Sequence, residues 1–140
     1  MTASLVRGSG PSASSVCGSV TSGGSESILC AMKASRDWWR RERGGGLLRG
    51  LLESLPWRKG THKPEIIIAD SAHAAYVKAA HYYGLRMVVV PVDERTGYRL
   101  TAAAVRRKIT ANTAIVVVSA PSYPHGVCDD IEGIGKLAAS

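Results

Sequence analysis

No apolar run in this chain is long enough to cross a bilayer. The longest, Ile66 to Ala69 and Met87 to Val92, fall far short of the roughly 20 residues a spanning helix needs, so a soluble, cytoplasmic protein is expected. Cysteine is scarce. Cys17, Cys30 and Cys128 are odd in number and never stand at Cys-x-x-Cys spacing, which argues against a disulfide framework or a zinc site and favours a reducing compartment. Met1 to Ser15 is rich in Ser, Gly and Ala but lacks the apolar centre of a secretory signal, and reads as a disordered lead-in. No internal repeat is visible.

What is present is 140 residues, 45% of them hydrophobic, enough for one domain or part of one. The formal charge of +7 and pI near 9.7 would suit an anionic partner. Much of that charge is local, however, in Arg36, Arg40, Arg41, Arg43, Arg49, Arg58, Lys59 and Lys63. Trp38, Trp39 and Trp57 lie among these residues, but no nucleic-acid motif accompanies them, and nucleic acid is not the expected partner.

Periodicity predicts a helix from Ser25 to about Arg43, carrying Ile28, Leu29, Met32 and Trp39 inward, with Ser22 or Ser25 as its cap. From Gly44 to Lys63 the composition shifts to Gly, Leu and Arg, which reads as a peripheral excursion with at most one short amphipathic helix. A regular alternation follows. The expected order is a strand at Glu65–Ala69, a helix over Ala72–Tyr83 closed by Gly84, and a strand at Arg86–Val92. A turn at Asp93–Gly97, a helix at Thr101–Thr110 capped by Thr101, a strand at Ala114–Ser119 and a helix from Asp129 complete it. Strands apolar on both faces, alternating with helices, predict a three-layer α/β domain: a mostly parallel sheet with helices on both faces. In such sheets ligands gather at the carboxyl ends of the strands.

Three segments fall at that edge. Thr21-Ser22-Gly23-Gly24-Ser25-Glu26-Ser27 precedes a helix, where free N–H groups, hydroxyls and the positive helix end suit a phosphate; the plain alternative is an ordinary Ser/Gly capping segment. His73, just past the first strand, is placed to stack on a flat ligand or to exchange a proton, or simply to hydrogen-bond a helix start. Ser119-Ala120-Pro121-Ser122-Tyr123-Pro124-His125-Gly126 follows the third strand with its shape set by two prolines. It is either a shaped binding loop, with Ser119, Tyr123 and His125 lining a site, or a rigid turn in which Tyr123 is packing.

Together and in this order, Cys17 to Leu29, Pro64 to Tyr82 and Asn112 to Gly126 resemble the sphingosine-1-phosphate lyase family, within the group II pyridoxal-dependent decarboxylase superfamily. The resemblance runs from about Val16 to Ala139. It implies the large domain of the aminotransferase type I fold, present in part over residues 16–140, with 44–63 as an insertion. It also implies pyridoxal phosphate as cofactor, with Gly24 and Ser25 on its phosphate and His73 stacked on its ring so that the breaking bond stands perpendicular to the π system. Ser25 stands where the family usually has threonine, so the hydroxyl is kept.

The implied reaction is cleavage of a phosphorylated long-chain base to a fatty aldehyde and phosphoethanolamine, by a homodimer at the endoplasmic reticulum membrane. An amino-acid decarboxylase fragment, with an amino acid as substrate, and a non-catalytic interaction protein are the alternatives. The family's Schiff-base lysine and its ring-nitrogen aspartate lie beyond the last motif present, so no catalytic residue is assigned and the chain alone is expected to be inactive. His62-Lys63 precedes the first strand, where the family has a variable loop, and does not stand in for the missing lysine.

Overall fold

A computed structural model describes residues 18–43 and 63–139. The expected lead-in at 1–15, and nearly all of the expected excursion at 44–63 with its short helix, lie outside the described residues.

Three parallel strands form the sheet: β1 (Glu65–Ala69), β2 (Arg86–Val90) and β3 (Thr113–Val116), in the order β2-β1-β3. All five residues of β1 are buried, as a central strand with both faces covered must be. Its neighbours are in register from Glu65 against Arg86 to Ala69 against Val90, and from Ile66 against Ile115 to Ile67 against Val116.

Alternation along the strands divides the core into two layers. Ile66 and Ile68 face one side with Met87, Ile115 and Val117, and there meet helices α1 (Gly24–Arg43) and α2 (Ala74–Tyr83) through Met32, Ala79 and Ala80. Ile67 and Ala69 face the other side with Val88, Val90 and Val116, and meet α3 (Ala102–Arg106) and α4 (Ile131–Ala139) through Val105 and Ile134. Each large aliphatic side chain removed from water this way stabilises the fold by roughly 1.5–3 kcal/mol. The three-layer arrangement expected from the strand pattern is therefore the observed one.

Local chemistry sets the boundaries. Gly84, at φ 64°, ends α2 with its N–H turned back on the His81 carbonyl, while Leu85 donates to Ala80; a residue with a Cβ adopts that left-handed conformation less readily. Thr101 caps α3, its hydroxyl accepting from the Ala104 N–H at 3.3 Å. α3 stops at Arg106, short of the expected Thr110: Lys108 closes on Val105 three residues back, tightening the last turn, and the Thr110 N–H turns to the Thr113 hydroxyl at 2.9 Å.

The one charged residue in the central strand is fully accommodated. Glu65 is 1% exposed, accepts from the Arg86 guanidinium, and takes the Thr110 hydroxyl at 2.8 Å. Burial alone would raise its pKa; the bonds from Arg86 and Thr110, with the Arg86 charge, prevail and hold the carboxyl below its ordinary value. Arg36, from the basic cluster, is likewise engaged: it bonds Asp37 at 2.7 Å, donates to the Tyr83 carbonyl at 3.4 Å, and lies over the Tyr83 ring.

Candidate functional site

The first helical turn is built by a carboxylate that folds back. Glu26 accepts from both the Ser22 N–H and the Ser22 hydroxyl at 2.6 Å, and those bonds, the hydroxyl's first, lower its pKa. Neither serine is the expected cap: Ser22 donates to Glu26 instead of accepting from the helix, and Ser25 lies within the first turn. Ser27 is the first residue to close on Gly23, at 3.1 Å, so the N–H groups of Gly24, Ser25 and Glu26 precede the intrahelical ladder. Among the described residues nothing approaches the positions a Cβ would fill at Gly23 and Gly24, and Ser25 is exposed. A ligand can come right up to this backbone.

Two contacts give the direction of α1. Arg36 reaches the carbonyl at the end of α2, and Trp38 with Ala34 borders Ala114 near the start of β3. Both place the later part of α1 at the amino edge of the sheet. From Ser25 to Arg36 the helix rises about 16 Å, the length of a five-residue strand. Its glycine-rich start therefore lies toward the carboxyl edge, where α2 also begins.

His73 stands at that edge as the N-cap of α2, with Nδ1 accepting from the Ala75 N–H at 3.1 Å. Capping and ring stacking are compatible here. An in-plane bond through Nδ1 leaves Nε2 to carry the ring N–H and fixes the ring's orientation without using its faces. Its neighbour is Tyr123, with centroids 5.8 Å apart and the rings edge to face at 64°.

The loop after β3 is clamped at both ends. Asp129, 8% exposed, accepts from Ser119 at 2.7 Å and from Leu100 at 2.8 Å, and its own N–H returns to the Ser119 carbonyl. Between those anchors Ser122 donates to Val127 and Gly126 to Ser122, with Gly126 at φ 66°. Tyr123 projects from this turn at 81% exposure, its ring meeting His73 edge to face. His125 stacks on Tyr98 at 4.5 Å and 15°. Ser122 Oγ is the buried side-chain polar atom that the described residues leave without a partner.

The structure thus brings Ser119, Tyr123, His125 and His73 to one edge, with the Gly24-Ser25 turn on the same side of the sheet. Sequence reasoning missed Asp129 and Tyr98. An acidic pair before a helix hinted at the first, since Asp130 also holds the Ala102 and Gly133 N–H groups. Nothing local pointed to Tyr98. Among the described residues no group of His, Cys, Asp and Glu could hold a metal ion, and no helix is long and apolar enough to cross a membrane.

The profile of the class-V aminotransferases matches residues 49–140. The chain belongs to that family. Within it, the chain is 43% identical over 142 residues to the sphingosine-1-phosphate lyase of Arabidopsis thaliana, an alignment that takes in all of this chain and 23% of that protein. The structure of a sphingosine-1-phosphate lyase from Burkholderia pseudomallei matches with a TM-score of 0.68 and 36% identity, over 84% of this chain and 23% of that one. Oryza sativa TDC, solved with PLP and tryptamine, matches at 0.67 with 21% identity over 84% of this chain and 24% of that one, a likeness of fold. This class-V aminotransferase chain spans about a quarter of the length of the proteins it matches.

Proposed function

We propose that this chain supplies one wall of a pyridoxal phosphate site in a carbon–carbon lyase acting on phosphorylated long-chain bases. The observation that carries the reading is the His73 ring, oriented by its bond to the Ala75 N–H, at the edge toward which the glycine-rich start of α1 also points. The residues suit the cofactor. Gly24 and Ser25 offer a phosphate unobstructed N–H groups, a hydroxyl and the positive end of a 20-residue helix. His73 has a ring face left for the pyridine, and Ser119, Tyr123 and His125 line the other side. When bound, the cofactor supplies an electron sink for cleavage beside the substrate amine. The chain's part is to bind and orient: Ser25 holds the phosphate end, and His73 sets the plane of the ring.

Similarity to sphingosine-1-phosphate lyases over the whole chain favours a phosphorylated long-chain base over an amino acid as substrate. By the same resemblance the proposed lyase acts as a homodimer at the endoplasmic reticulum membrane.

Equilibrium dialysis against pyridoxal phosphate tests the site. His73→Asn keeps a capping side chain but removes the ring, and is expected to weaken binding roughly tenfold, the worth of one stacking contact. Ser25→Ala should weaken it without unfolding α1. Equal affinity in the native chain and both variants would remove the site from these residues. Transplanting this chain into the matching stretch of the Arabidopsis protein tests the reaction. Aldehyde release from a phosphorylated long-chain base is expected; release of carbon dioxide from an amino acid without aldehyde would overturn it.

A further inference from the structure

Tyr98 belongs to none of the motifs that carry the family resemblance, yet it is bound to the loop that faces His73. It lies in the tight turn after β2, where Asp93 caps a short 3-10 segment at Glu94–Thr96, and its N–H donates to the Asp93 carbonyl at 2.8 Å. Its φ of 56° is in the left-handed region, which a tyrosine disfavours and a glycine or asparagine would occupy at less cost. A large aromatic held there needs a compensating contact from its side chain. That contact is the His125 ring, nearly parallel at 4.5 Å.

The rest of this segment is tied to the same loop. Leu100 donates to Asp129, Asp130 donates back to the Leu100 carbonyl, and Ala102 donates to Asp130. Residues 98–102 therefore form a support under residues 119–130. Tyr98 is the part of it that reaches the tip of the loop, two residues from Tyr123. Without that support, an 81% exposed tyrosine would have only its edge contact with His73 to hold it.

From this geometry we infer that Tyr98 is a positioning residue for the cofactor site: by stacking on His125 it fixes the 121–126 turn and so sets Tyr123 against His73. The inference rests on the proposed site for its consequence, though not for the stack itself. The role does not require Tyr98 to touch the cofactor or the substrate.

Comparing Tyr98→Gly with Tyr98→Phe separates positioning from mere folding. Glycine relieves the backbone as it gives up the stack, so Tyr98→Gly should unfold close to the temperature of the native chain, whereas phenylalanine keeps both the strain and the stack. Proton NMR then reports the loop. The His125 ring protons should carry an upfield ring-current shift, and a nuclear Overhauser effect should join Tyr123 to His73, in the native chain and in Tyr98→Phe. Both signals should be lost in Tyr98→Gly. Affinity for pyridoxal phosphate should fall roughly fivefold in Tyr98→Gly and stay within about twofold in Tyr98→Phe, the range set by one aromatic pair. If the native chain lacks the ring-current shift, or if Tyr98→Gly keeps the Tyr123–His73 contact, the inference is wrong. It is equally wrong if the contact is lost and cofactor affinity does not change. Should the native chain bind no pyridoxal phosphate, the proposed function fails, and the Tyr123–His73 contact still decides whether Tyr98 positions the loop.

Discussion

The two ends of the strands treat polar groups in opposite ways. At the amino edge the buried Glu65 carboxylate is matched by Arg86 and Thr110, and the Glu65 N–H by the Asn112 carbonyl, so its capacity is used inside the chain. At the carboxyl edge a buried carboxylate, Asp129, also finds partners, but it uses them to hold two loops whose tips carry exposed groups: Tyr123 and His125, with His73 and Ser25 exposed on neighbouring elements. One edge closes the fold; the other leaves donors and rings exposed, where the proposed site needs them. Substitutions at the first should therefore cost stability, and substitutions at the second should cost binding.

The largest effect on stability is expected from Arg86→Ala. It leaves the 1% exposed Glu65 carboxylate with only the Thr110 hydroxyl, and such a loss costs about 2–4 kcal/mol, at the lower end here because the Arg86 side chain is itself 58% exposed. Urea denaturation should show it, with cofactor affinity unchanged in the folded fraction. Glu65→Gln should cost less, since the orphaned guanidinium returns to water.

Acid provides the companion measurement. The folded-state pKa of Glu65 is depressed, so its contribution is complete above the unfolded carboxylate value near 4.3 and is lost as pH falls below that toward the folded value. Native stability should decline through that window more steeply than that of Glu65→Gln. Parallel declines would mean that Glu65 is not a stabilising charge.

The same contrast explains what could be read in advance. β1 is found at its expected bounds because an apolar, β-branched run stands between Pro64 and Asp70, so a local signal and the tertiary need agree. β2 was expected to reach Val92 but pairs only to Val90: Pro91 has no N–H, and the Val92 N–H goes to the Asp70 carboxylate at 3.2 Å. α4 begins at Ile131 and not at Asp129, because Asp129 is used by Leu100 and Ser119 while Asp130 caps the helix, accepting from the Gly133 N–H at 3.0 Å. His73 and the Pro-flanked loop were legible through residue type and place. The Tyr98–His125 stack was not, since it depends on two loops 27 residues apart in sequence meeting in space.

A smaller effect is expected at the carboxyl edge, and its sign separates cap from ring. His73→Ala removes the acceptor for the Ala75 N–H and should destabilise by about 0.5–1 kcal/mol, whereas His73→Asn, a better capping residue, should lie within about 0.5 kcal/mol of the native chain. Thermal unfolding of the two variants makes the comparison. Equal destabilisation would show that the imidazole is held by more than its cap, and would blur the division between the two edges.

The smallest expected effect is an absence of covalent capture. Covalent catalysis of the proposed kind needs a lysine amine directed at the cofactor's carbonyl carbon, and an acidic partner for the ring nitrogen. The described lysines are placed otherwise. Lys33 reaches Asp37 at 2.8 Å and Lys136 reaches Glu132 at 2.6 Å, each along its own helix. Lys63 precedes β1 and Lys108 follows α3, both toward the amino edge, and Lys78 is exposed on α2. Lys59 lies outside the described residues. Incubation with pyridoxal phosphate, borohydride reduction and peptide mapping should therefore give scattered, substoichiometric labelling, without aldehyde release from a phosphorylated long-chain base. Stoichiometric labelling of one lysine together with turnover would show that the carboxyl edge of this chain carries a complete reaction centre, and the contrast drawn between binding and catalysis would fail.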